Sequence, residues 1–180
     1  KSLKAIVFTD IVNFTKLSSE DEELALSLID KQKKLLTPII KSHNGHLLKE
    51  IGDGLLLSFD STIDAVNCSI KIQRLLLTDN ELNIRIGIHQ GDIFVKDGDI
   101  FGDDVNIASR IESYSPNGGI SISDKVNKDI SGVTGIKTSF IGYRKLKGVS
   151  QDTKIYSITS HNLPKFRKQW IPYISGIFFL

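Results

Sequence analysis

The run Leu3 to Thr9 is almost continuously apolar and ends at Asp10, the pattern of a central strand buried on both faces. Ser19 with Glu22 three residues on forms a capping box and predicts a helix from about Glu20. Leu24, Leu28, Leu35 and Ile39 mark its buried face, Pro38 predicts a kink or an early end, and Asn44-Gly45 stops it. His46 to Phe59, HLLKEIGDGLLLSF, reads as two apolar strands joined at a tight Gly-Asp-Gly turn. Asp60-Ser61 caps a second helix that runs to near Thr78, with Ala65, Ser69, Ile72 and Leu76 on one face. Leu82 to His89 alternates like a half-buried strand, Gly91 breaks it, and GDIFV continues as another strand. KDGDIFGDD is a turn-rich loop in which Asp103 caps a third helix, Asp104 to about Tyr114, ended by Pro116-Asn117-Gly118-Gly119. ISIS is a short strand and Asp124 to Asp129 a short helix; Ile136 to Leu146 and Lys154 to Thr159 are the last two strands. This order predicts an α+β fold with a ferredoxin-like β-α-β-β-α-β core and additional C-terminal elements.

Composition narrows the function classes. The 180 residues carry 23 basic and 21 acidic side chains, a net charge of +2, which argues against a dedicated nucleic-acid binder. The single cysteine, Cys68, rules out an intrachain disulfide and reads as a small core residue. Residues 1–160 are expected to form one domain, and 161–180 a tail. In the tail, Lys165, Arg167 and Lys168 precede Trp170, Tyr173 and the apolar end ISGIFFL. That run is too short to span a bilayer. Packing on the core or a partner protomer is the favoured reading, with a membrane-proximal segment as the alternative. A start at Lys1 without Met points to a piece of a longer protein, with sensor or membrane domains outside it.

The chemistry-bearing residues fall at strand ends and on the third helix. Asp10 ends a buried strand, where a carboxylate is costly unless paired or metal-bound. Asp53 sits in the hairpin turn, next to that strand in the predicted sheet. Two such carboxylates suit a pair of hard cations, Mg²⁺ or Mn²⁺, forming a phosphoryl-transfer clamp, with the Ile11 carbonyl as a further oxygen ligand. The backbone N–H groups of Asn13, Phe14 and Thr15 lie near the coming helix and suit phosphates. Asn106 and Arg110, at i and i+4, share a helix face. An arginine fork suits a phosphoryl group gaining charge, and an asparagine a sugar oxygen. Lys49 can donate to adenine N1 and Asp99 can accept from adenine N6, a pairing that guanine reverses. Lys147 is placed in KLKGV as a point charge for terminal phosphates. Each has a plainer reading too: Asp53 and Asp99 as turn residues, Lys49 as a snorkelling lysine, Arg110 as a surface arginine. His43, His46, His89 and His161 lack metal-ligand spacing and read as surface or strand residues.

FTDIVNFTKLS, KEIGDGLLLSF, GIHQGDI, DIFGDDVNIASRIES and LKGVSQDTKIYSI occur in this order and cover residues 3 to about 159. Together they closely resemble the catalytic domain of class III adenylyl and guanylyl cyclases. The resemblance implies that Asp10 and Asp53 bind two metal ions and that Lys49 and Asp99 select adenine. It implies that Asn106 orients the ribose, Arg110 stabilises the pentavalent transition state and Lys147 holds the triphosphate. Guanylyl cyclases of the family usually carry Glu and Cys where Lys49 and Asp99 stand, so ATP is the implied substrate and cyclic AMP the product. It further implies a head-to-tail homodimer whose protomers each contribute half of every site, and a cytoplasmic location, at the inner face of a membrane if the full protein is anchored. A guanylyl cyclase and a catalytically silent nucleotide-binding regulatory domain are the alternatives. Asn13 departs from the family's usual Gly, and Asn tolerates a positive φ better than most residues. Glu50 replaces a frequent Thr, turns away from Lys49 by strand alternation and receives no role.

Overall fold

A computed structural model describes residues 2–96, 99–147, 149 and 152–165, with the side chains of 95–101 outside that description. Its elements are β1 (Ser2–Ile11), α1 (Phe14–Glu20), α2 (Glu22–Ser42), β2 (His46–Ile51), β3 (Gly54–Phe59), α3 (Thr62–Leu76), β4 (Ile84–Lys96), β5 (Asp99–Phe101), α4 (Asp103–Glu112), β6 (Ile120–Ser123), α5 (Asp124–Asp129), β7 (Thr138–Arg144) and β8 (Thr153–Ile158). The sheet runs β2-β3-β1-β4-β6-β8-β7, with β5 paired to β4. Its first four strands have the ferredoxin-like order, with β1 antiparallel between β3 and β4. None of the described helices is long and apolar enough to cross a membrane.

β1 is buried on both faces, as its sequence requires. Ala5, Val7 and Ile11 enter the large core with Leu28, Leu36 and Ile40 of α2, Ala65 and Ile72 of α3 and Val126 of α5. Ile6 turns the other way, to Leu56, Ile93 and Ala108 of α4. Cys68 is buried in the large core, where burial pushes its thiol up to about 12. Leu163 packs on the same core; residues 166–180, with Arg167, Lys168, Trp170 and Tyr173, lie outside the described residues.

Five expectations are corrected by local chemistry. The segment after β1 is already helical from Phe14, and the cap of the long helix is Asp21, whose carboxylate accepts from Leu24 N at 2.9 Å. Ser19 instead donates back to the Lys16 carbonyl at 2.7 Å, inside α1. The buried stripe of α2 is Ala25, Leu28, Gln32, Leu36 and Ile40, leaving Leu24 exposed and Leu35 and Ile39 at its edge. Pro38 neither ends nor splits α2. Gly91 does not break its strand, because β4 runs unbroken past it, and the expected loop after it contains β5. The third helix is shorter than expected: Gly102, not Asp103, holds the cap position, and the helix ends at Glu112.

Because Asp21 and not Ser19 satisfies the first turn of α2, Asp21→Ala is expected to cost about 1 kcal/mol. That lowers the melting temperature by about 2–4 °C. Ser19→Ala is expected to stay within about 0.5 kcal/mol of the parent. Equal losses in thermal melts of the two variants would contradict this assignment of the cap.

Candidate active site

The hairpin and the end of β1 are brought together by pairing. Phe8 lies opposite Leu56 and Ala5 opposite Phe59, so the turn between β2 and β3 reaches Asp10. A Cβ on Gly54 would overlap the Thr9 carbonyl; glycine there lets the turn close on β1. The Asp53 carboxylate accepts from Ile11 N at 2.8 Å. Fully buried Gln32 of α2 donates to the Asp53 carbonyl at 2.8 Å and accepts from Thr9 Oγ1 at 3.1 Å. Gln32 thus ties the backbone of Asp53 and the residue before Asp10 to α2.

The charges there do not balance. Arg85 of β4 donates from Nη2 to Asp10 Oδ2 at 2.5 Å, and its Nε lies 2.7 Å from Glu112 Oε1 of α4. Asp10 and Glu112 therefore share one guanidinium, and the Asp53 charge acts on it as well. Burial raises the Asp53 carboxyl above its usual range, and the Asp10 charge adds to the rise against the Ile11 N–H. Glu112, 4% exposed, is pushed up to about 7 by burial, then by Asp10, with Arg85 opposing.

A cavity of about 360 Å³ opens beside the pair, lined by Asp10, Ile11, Asn13, Phe14, Thr15 and Arg85 among others. Asn13 adopts φ 59°, the left-handed conformation its substitution for Gly anticipates. Among the described residues there is no cluster of three or more His, Cys, Asp or Glu side chains placed to hold a metal. The donors here are two carboxylates and a backbone carbonyl, all hard oxygens with excess negative charge and room beside them. That set fits Mg²⁺ or Mn²⁺ sharing further oxygens with a phosphate substrate.

The remaining predicted residues lie elsewhere. Arg110 and Lys147 line a separate cavity of about 280 Å³ with Ser113, Tyr114, Lys145 and Leu146. Asn106 is exposed on α4, one turn before Arg110. Lys49 is exposed on β2, just past a bulge that follows Leu47, and opposite Leu56. Asp99 is opposite Lys96 at the start of β5, and its side chain lies outside the described residues. Glu50, given no role, is ion-paired with Lys33 of α2, on the other face of the hairpin from Lys49.

Sequence reasoning missed Arg85, Glu112 and Gln32. The signal for Arg85 was present: IRIGIHQG places Ile on one strand face and Arg, Gly, His and Gly on the other. That second face reads as solvent-facing until α4 is known to cover it. His89, read as a surface or strand residue, is 5% exposed and pairs with Asp104 of α4.

In metal-free protein, the Glu112 carboxyl titrates at about 7 when folded against an ordinary value of 4.5. Between those values the folded form keeps a proton that the unfolded form has lost, so stability falls as pH rises. In EDTA, the parent is expected to lose melting temperature relative to Glu112→Gln from about pH 5 to about pH 8. Parallel melting curves across that range would contradict it.

The comparisons bear on this geometry. The model of the adenylate and guanylate cyclase catalytic domain matches residues 3–160. A Rhizobium meliloti relative named as an adenylate cyclase is 33% identical over 184 residues, covering 98% of this chain and 31% of the relative. The chain thus spans about a third of that relative's length. The crystal structure of an adenylate/guanylate cyclase/hydrolase from Silicibacter pomeroyi superposes with a TM-score of 0.81 at 30% identity, covering 91% of this chain and 98% of that one. The adenylyl cyclase CyaB of P. aeruginosa gives 0.75 at 28% identity, with 88% and 95% covered. With its fold and nearly its whole described length accounted for, this chain belongs to the adenylate and guanylate cyclase catalytic domain family.

Proposed function

We propose that this domain is an adenylyl cyclase that converts ATP to 3′,5′-cyclic AMP and pyrophosphate at sites shared by two copies of the chain. The observation that carries the reading is the separation of the two half-sites. Among the described residues, the Asp10–Asp53 cavity and the Arg110–Lys147 cavity have no lining residue in common. A head-to-tail homodimer unites them, with the carboxylates of one copy opposite α4 of the other, and gives two complete sites. The adenylate cyclase names of its relatives support the choice of reaction.

Two Mg²⁺ or Mn²⁺ ions, held by Asp10, Asp53 and the Ile11 carbonyl, would acidify the ribose 3′-hydroxyl and offset phosphate charge. The residues do the rest. Lys49 and Asp99 hold adenine by its N1 and N6 edge. Asn106 fixes the ribose so that the 3′-oxygen lies in line with the α-phosphorus. Arg110 meets the charge that grows on the α-phosphoryl oxygens, and Lys147 holds the outer phosphates. The backbone at Phe14 and Thr15 and the guanidinium of Arg85 face the same phosphates from the metal side. The 3′-hydroxyl loses its proton to solvent, its oxygen bonds to the α-phosphorus, the bond from that phosphorus to the α,β-bridging oxygen breaks, and pyrophosphate leaves with that oxygen. Use of ATP implies a cytoplasmic domain, attached to the inner face of a membrane if the full-length protein is anchored, and attached sensor domains would act by shifting dimer geometry.

Incubation with Mn²⁺ and ATP is expected to yield cyclic AMP. Cyclic GMP from GTP in preference would make it a guanylyl cyclase, and no product from either a silent nucleotide-binding domain. Arg110→Ala is expected to lower kcat about a hundredfold or more with KM changed less than about threefold. Mixing inactive Asp10→Asn and Arg110→Ala proteins is expected to restore about a quarter of parental activity, since half of the randomly paired dimers would hold one intact site of two. No recovery on mixing would exclude shared sites. Lys49→Glu with Asp99→Cys is expected to erode the preference for ATP, read as the ratio of cyclic products.

A further inference from the structure

Asp104 stands in the first turn of α4, where an acidic side chain commonly caps its own helix, yet α4 has no side-chain cap. The carboxylate reaches across to β4 instead. Its Oδ2 accepts from Asp92 N at 2.7 Å, and its Oδ1 lies 3.1 Å from His89 Nε2. It fills the space above Gly91, where any Cβ would overlap the carboxylate. His89 is buried, and its Nδ1 has no hydrogen-bond partner among the described residues. Burial lowers the His89 pKa, the Asp104 hydrogen bond opposes that, and Lys125 adds to the lowering. A neutral ring whose only proton sits on Nε2 fits this: it donates to Asp104 and leaves Nδ1 as a lone pair. Gly91, His89 and Asp92 all belong to the GIHQGD stretch, to which the proposed reaction assigns no part.

We propose that Asp104 is a positioning residue for the reaction: clamped by His89 and Asp92 over Gly91, it sets where Asn106 and Arg110 stand. Asn106 is two residues and Arg110 six residues along the same rigid helix. A shift of the first turn is therefore carried to both. The other end of α4 is tied by Glu112 to Arg85, so release at Asp104 tilts the helix about that anchor. The proposal rests on the cyclase reading for its kinetic consequences, but the clamp itself is open to a test that needs no turnover.

Three variants separate the possibilities. Asp104→Ala removes both contacts and is expected to lower kcat about tenfold to a hundredfold, with KM for ATP within about twofold of the parent. Gly91→Ala displaces the carboxylate without changing it and is expected to reproduce that loss. Asp104→Asn keeps the shape: its Oδ1 can accept from Asp92 N while its Nδ2 donates to His89 Nε2, provided the ring proton moves to Nδ1. Its kcat is expected within about threefold of the parent, conservative rescue being what positioning predicts. Nitrogen NMR of ¹⁵N-histidine-labelled protein reads the clamp directly. The parent His89 is expected neutral with its proton on Nε2, and Asp104→Asn is expected to move it to Nδ1. A parent ring protonated on Nδ1, a parental kcat in Asp104→Ala, or a loss in Asp104→Asn as deep as in Asp104→Ala would overturn the proposal. If the parent makes no cyclic nucleotide, the cyclase reading fails while the NMR result still decides the clamp.

Discussion

The packing of α4 along one face of β4 is the constraint on which the site depends. Arg85, Gly87, His89 and Gly91 alternate on that face. The glycines create the room: a Cβ on Gly87 would overlap the backbone at Ala108 and Glu112, and one on Gly91 the Asp104 carboxylate. The two polar residues of that face each reach a carboxylate at one end of α4, Arg85 to Glu112 and His89 to Asp104. A strand with larger side chains at 87 and 91 would hold α4 further off, and both polar contacts would lengthen out of range. The Ile residues at 84, 86 and 88, on the opposite face, are fully buried in the large core, so β4 cannot turn to relieve the strain.

That packing makes an electrostatic problem that the protein keeps. Glu112 and Asp10 compete for Arg85, and Asp53 lies close enough to Asp10 to be raised by its charge. Three buried or half-buried carboxylates around one guanidinium cost stability. A site meant only for stability would replace them with apolar groups. A site that takes up cations and a polyphosphate recovers the cost when they arrive, because added positive charge satisfies the excess carboxylate. The relay from Gln32 through Thr9 and the Asp53 carbonyl keeps the two aspartates in register meanwhile, so little reorganisation remains for binding.

The hairpin divides labour in the same way. Its bulge after Leu47 lets Leu48 pack beneath α4 while Lys49 stays exposed, and Glu50 turns to Lys33 on the other side. One strand therefore serves the small core, the proposed base site and the helical layer. Arg110 of α4 and Lys147 line a different cavity from the aspartates, which is why a second copy is built into the proposed mechanism.

Much of this was legible in the chain. Strand β1 with Asp10 at its end, the hairpin with Asp53 at its turn, α5 to the residue, and the neighbouring of β1 and β3 all follow from local apolar patterns, turn residues and the ferredoxin-like order of the elements. Local pattern suffices there because each element's periodicity is set by its own backbone repeat. It failed wherever two elements compete for one group. Asp21 rather than Ser19 caps α2, Gly91 leaves its strand unbroken, and Gly102 rather than Asp103 holds the cap position of α4. Arg85, Glu112 and Gln32 became site residues only when α4 and α2 covered them. A side chain's burial, and with it the strength of its charge interactions, is a property of what packs against it, and one strand or helix read alone carries no record of its neighbour.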